Sequence, residues 1–111
     1  MSSSITFRED VSATVWNSTF KIILRKLEEC SSVNKTATSI LRENPIAAPI
    51  GSLNLKSLSA EELAGFIQLL SGLRDETERI TEEWNLPQQR AQFPIDLEST
   101  IKKAQQVAES L

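Results

Sequence analysis

The chain has 111 residues, of which 40% are hydrophobic and 24% charged, and its net charge is −3. That length holds one domain with one modest core, and the composition is that of a folded chain rather than a disordered tail. With no histidine, no tyrosine and a single cysteine, it excludes a His-based triad, a Cys/His zinc cluster and any disulfide within one chain.

The first predicted element is a helix over residues 7–42. Ala13, Trp16, Phe20, Ile23, Leu27, Cys30, Ala37 and Leu41 recur at alternating spacings of three and four, with Leu24, Val33 and Ile40 widening the stripe. That is the seam of a packed helix. Thr6 and Glu9 have capping-box spacing, while Asp10 or Ser12 offers a later start. Ser31, Ser32 and Asn34 compete for backbone hydrogen bonds, so a break near residues 31–34 stays open. Asn34 then reads either as a helix end or as the polar residue that sets the register of a paired helix. Its general preference favours the helix end.

A proline- and glycine-bearing loop over residues 44–58 follows, unusually apolar for a connector, with Ile46, Ile50, Leu53 and Leu55. Residues 50–55 could run extended, but no partner strand is evident. The loop either folds back over the end of the bundle or presents a patch to a partner.

The second helix is expected over residues 59–85. Ser59 and Glu62 form a capping box, and Leu58 and Leu63 a hydrophobic staple. Leu63, Phe66, Leu70, Leu73, Thr77, Ile80 and Trp84 carry the seam. Gly65 and Gly72 weaken the helix but allow a close approach. Arg74/Glu78, Asp75/Arg79 and Arg79/Glu83 stand four residues apart as ion-pair candidates. After a loop over residues 86–94, bounded by Pro87 and Pro94, a third helix runs over residues 95–111. Leu97, Ile101, Ala104, Ala108 and Leu111 line one of its faces, and Glu98 and Lys102 are a candidate pair.

The expected fold is therefore all-α: a single domain built as a small antiparallel bundle of three to four helices. At about 1.5 Å per residue the rods measure roughly 50, 37 and 24 Å. Rods so unequal close poorly, so the first helix either breaks near Ser32 or is matched by a second copy of the chain.

Charge is uneven. Residues 1–44 carry six basic and five acidic residues, and residues 45–111 six and ten. Asp75, Glu76, Glu78, Glu82 and Glu83 interleave with basic residues, the pattern of a solvated helix face. No phosphate loop, dinucleotide fingerprint or nucleophile elbow occurs, so no catalytic, cofactor-binding or metal-binding residue is assigned. Cys30 reads as a small buried residue. Trp16 and Trp84 read as core anchors, with Trp84, beside a proline-bearing loop, the better interface candidate. The opening residues lack the basic and apolar stretches of a secretory leader, and no run approaches the length of a spanning helix, so a cytoplasmic location is expected.

These readings converge on a non-enzymatic protein–protein interaction module, a small adaptor, regulator or assembly subunit that also pairs with itself as a homodimer. Trp84, Ile46, Ile50 and Leu53 are the candidate partner-binding residues. The alternative is a nucleic-acid-associated regulator contacting phosphates through Lys21, Arg25 and Lys26.

Overall fold

A computed structural model describes residues 2–111, and residues 48 and 49 by their backbone alone. Its opening residues are strand. Ser2–Arg8 (β1) and Val11–Trp16 (β2) pair antiparallel around a tight turn at Glu9 and Asp10. Along β1, Ser3, Ile5 and Phe7 point inward. Along β2, Ala13 and Val15 do. This two-residue alternation of β-branched and aromatic residues is the signature of a half-buried strand. It replaces the helix expected to start near Phe7, and with it the Thr6/Glu9 cap: Thr6 lies in β1 and Glu9 in the turn.

The helix Asn17–Cys30 (α1) buries Thr19, Phe20, Ile23, Leu24 and Leu27. The chain turns at Ser31, and Asn34 restarts it, its Oδ1 accepting the Ala37 N–H at 3.1 Å to cap Lys35–Glu43 (α2). Asn34 thus sits at a helix end. Val33, read as part of the seam, lies in this turn and is 86% exposed.

The apolar connector is structured. A short helix, Ala47–Ile50 (α3), ends at Gly51 with φ +70°, a left-handed conformation that favours glycine. Ser52–Asn54 (β3) then pairs parallel with β1. β1 is therefore the central strand of a three-stranded mixed sheet ordered β2-β1-β3. The chain is a mixed α/β fold, and the all-α bundle is corrected on this observation.

Ala60–Asp75 (α4) starts at the Ser59/Glu62 capping box, with both reciprocal bonds present. The continuous helix expected over residues 59–85 breaks at Glu76. The Thr77 hydroxyl donates to the Arg74 carbonyl at 2.6 Å, taking an acceptor the helix ladder would use. Thr77–Thr81 (α5) follows. The last helix, Pro87–Glu109 (α6), absorbs most of the expected loop over residues 86–94. Pro87 stands in its first turn, where the missing N–H costs nothing. Pro94 lies inside it. The helix passes through Pro94 because Phe93, Leu97, Ile101, Ala104 and Val107 all bury on one face, and this packing outweighs one lost backbone bond.

The helices cover the apolar face of the sheet, with α6 against β1 and β2, α4 on α6, and α1 on α2 and α6. Phe7 and Phe66 meet at 6.2 Å between ring centroids, joining the central strand to α4. The outer sheet face carries Ser2, Ser4, Thr6, Ser12 and Thr14, which remain exposed or half-exposed. The radius of gyration, 13.1 Å, is that of a closed chain of this length, roughly 13 Å.

Side chains engage both sheet edges. On β2, the Asp96 carboxylate of α6 accepts the Trp16 N–H at 3.0 Å, and Lys103 donates to the Ser12 carbonyl. On β3, Asn44 acts as one residue of a fourth strand. Its Oδ1 accepts the Asn54 N–H at 2.7 Å, and its Nδ2 donates to the Asn54 carbonyl at 3.0 Å. An open strand edge invites pairing with other chains, and here the backbone groups of Trp16, Ser12 and Asn54 are already engaged.

Candidate functional site

A concave surface that brings Trp84, Arg25 and Lys26 together lies between α1 and the stretch from the end of α4 through α5 to Trp84. It is an open groove of about 420 Å³, within the usual range for ligand sites. α1 contributes Ile22, Arg25, Lys26 and Glu29 to one wall. Their three- and four-residue spacing places them on one stripe, beside the buried stripe of Phe20, Ile23 and Leu27. The other wall carries Leu73, Glu76, Arg79, Ile80, Glu82, Glu83 and Trp84.

Trp84 is held from behind. Its ring meets Phe93 of α6 edge-on, with centroids 5.5 Å apart and an interplanar angle of 80°, a favoured aromatic geometry. One side of the indole packs on the core while the other lines the groove. Ile22 and Ile80 are half-buried around it and Leu73 is buried. Together they make an apolar floor.

The rims differ in sign. Arg25 and Lys26 stand on the α1 side, with Glu29 one turn further on. On the other side, Glu76 pairs with Arg79 at 3.0 Å, which leaves Glu82 and Glu83 as the excess charge of that rim. The pairings expected within the second helix are redistributed. Arg74 turns to Glu98 of α6 rather than to Glu78, which also takes Glu98 from Lys102. The break at Glu76 rotates the residues on either side of it out of the register a single helix would have kept.

The remaining candidates lie elsewhere. Ile46 and Ile50, 60% and 62% exposed, flank α3. Leu53 is fully buried opposite Ile5 of β1 and has no surface to offer a partner. Strand alternation turns it inward. Lys21 is exposed but outside the groove. Cys30, read as buried, is a half-buried free thiol at the end of α1. Trp16, read as a seam residue, is 37% exposed, because in a strand it faces away from Val15. Asp75, Glu76, Glu78, Glu82 and Glu83 are all exposed, and among the described residues no three potential ligands gather to hold a metal.

The most buried carboxylate, Asp96, escaped the sequence reading. Besides the Trp16 N–H, it accepts the Thr19 hydroxyl at 2.9 Å and the Gln92 amide at 2.8 Å. It thereby supplies the N-terminal cap that α1 lacks from its own side chains, with the negative charge where the helix dipole favours it. Its work is structural. No sequence signal could have found it, since its partners lie 77 and 80 residues away.

No protein-family model matches the sequence, and no curated protein or solved structure matches it either. Among the described residues no helix is long and apolar enough to cross a membrane.

Proposed function

We propose that this chain is a non-catalytic binding protein that takes a segment of another protein into the groove between α1 and α5. The observation that carries this reading is the floor of Ile22, Leu73, Ile80 and Trp84 between charged rims. Apolar centres bounded by polar rims are the anatomy of protein interfaces, and tryptophan is over-represented among their energetic anchors. The lining consists of hydrocarbon, carboxylates and cations, with neither hydroxyl nor thiol to act as a nucleophile. We place its work in a reducing compartment such as the cytosol, where a free thiol like Cys30 persists.

Two earlier expectations lose support. The case for self-pairing rested on three rods of unequal length, and these are replaced by shorter elements whose seams close on the sheet and on one another. The case for nucleic acid rested on Lys21, Arg25 and Lys26. Two of these share their groove with Glu29, Glu76, Glu82 and Glu83, whose charge repels phosphate.

Selection from a displayed peptide library tests the proposal. Enriched peptides should bind the wild-type protein and lose binding to Ile80→Glu, with the variant's fold checked by circular dichroism. Failure to enrich any peptide, or equal binding by the variant, overturns it.

A further inference from the structure

The charge order of the two rims defines the occupant more closely, on the premise that the groove binds a protein segment. We infer that the segment is an amphipathic helix with carboxylates along one edge of its apolar face and Lys or Arg along the other, the carboxylates set against Arg25 and Lys26 and the cations against Glu82 and Glu83.

Three observations support this. First, α1 forms one wall and the end of α4, the short α5 and the turn after it form the other, an elongated trough in which a helix can seat its side-chain ridge. Second, strand addition, the other common mode of peptide capture, meets edges that are already partly engaged: Asn44 holds the backbone of Asn54, and Asp96 and Lys103 hold the Trp16 and Ser12 ends of β2. Third, the rims are charged in opposite sense around a shared apolar floor. The α1 wall holds Arg25 and Lys26 against one carboxylate, Glu29. The facing wall holds Glu82 and Glu83 beyond the internally paired Glu76 and Arg79. A uniformly acidic or basic helix satisfies one rim and is repelled by the other, and rim charges discriminate partners chiefly through such repulsion.

Three synthetic helical peptides of equal length and identical apolar face test this: one with mixed edges, one with both edges basic and one with both acidic. Trp16→Phe protein is used so that Trp84 alone reports binding by its fluorescence. The mixed peptide should bind about tenfold more tightly than either other at low salt, with the difference shrinking as salt screens the rims. The double variant Arg25→Glu, Lys26→Glu should transfer the preference to the all-basic peptide. Arg25 is exposed and Lys26 is half-buried at the groove rim, outside the core, so the fold should persist. Equal binding of the three, or no transfer of preference, overturns the charge order and leaves the groove as a binding site. No response of Trp84 to any of them overturns both.

Discussion

Gly65 and Gly72 lie seven positions apart on α4 and invite the same remark from sequence, yet their surroundings differ. A Cβ at Gly65 would stand 2.6 Å from the Thr36 hydroxyl oxygen and 3.3 Å from its Cβ, whereas nothing lies within 4 Å of one at Gly72. Thr36 is buried and β-branched, so it has little freedom to withdraw. Gly65→Ala should therefore destabilise the protein by about 1–3 kcal/mol through overpacking. Gly72→Ala should stabilise it by up to about 1 kcal/mol through helix propensity. Denaturant unfolding midpoints of the two variants should move in opposite directions. Glu62 makes a second prediction at this scale. The Ser59 backbone N–H, helped by the Ser39 and Ser59 hydroxyls and by Arg42, holds its carboxyl below the ordinary 4.5. A depressed folded-state pKa adds stability above the unfolded value, and that stability is lost as pH falls through the folded one. Glu62→Gln, which can still cap, should cost a few tenths of a kcal/mol at neutral pH after allowance for solvent screening. The gap to wild type should close below the usual carboxylate range, as read from unfolding midpoints between pH 7 and pH 3.

At the scale of elements, the junction between β2 and α1 depends on α6. Asp96 accepts the Trp16 N–H, the Thr19 hydroxyl and the Gln92 amide within a buried site. Asp96→Ala leaves the buried Thr19 hydroxyl and the part-buried Trp16 N–H and Gln92 amide without their acceptor, and the expected loss is about 1–3 kcal/mol. Amide exchange in the first turn of α1 should accelerate more than in α4. Uniform acceleration across both helices would argue against a local cap. The capping box at Ser59 was legible because both partners lie within four residues of each other. The Asp96 cap was not, because its two halves meet only when α6 docks. The strands were hidden for another reason. Ala13 belongs both to the two-residue alternation with Val11 and Val15 and to the three-four spacing with Trp16 and Phe20, and the longer pattern downstream favoured helix. The turn at Glu9 and Asp10 lacks the Asn-Gly or Asp-Gly signal of a hairpin, and β3, only three residues long, has its partner 48 residues away.

For the whole molecule, the central position of β1 matters most. It joins β2 to β3 and carries Ile5 and Phe7 into the core, where Phe7 meets Phe66. Deleting residues 1–10 removes the middle of the sheet, and the expected result is loss of cooperative thermal unfolding rather than a lowered midpoint. A truncated chain that retained a sharp transition would show that the helices form a core of their own. The groove was legible in part. Trp84, Arg25 and Lys26 were singled out from their own segments, but nothing in the sequence placed them across one cleft. Ile80 reads from sequence as part of a buried seam rather than as a groove wall, and Ile22, which borders a seam, looks like its margin until the facing element is known.

Sequence alone determined the buried stripes of α1 and α4, the Leu97, Ile101 and Ala104 part of that of α6, and the start of α4, because these depend on residue identity and on spacings within a turn or two. Tertiary structure decided that Ser2–Arg8 and Val11–Trp16 are strands, that the seams close within one chain, and that an arginine and a lysine of α1 face the carboxylates that follow α5. Those outcomes depend on which distant groups satisfy a backbone edge or bury a face, and that pairing exists only once the chain has closed on itself.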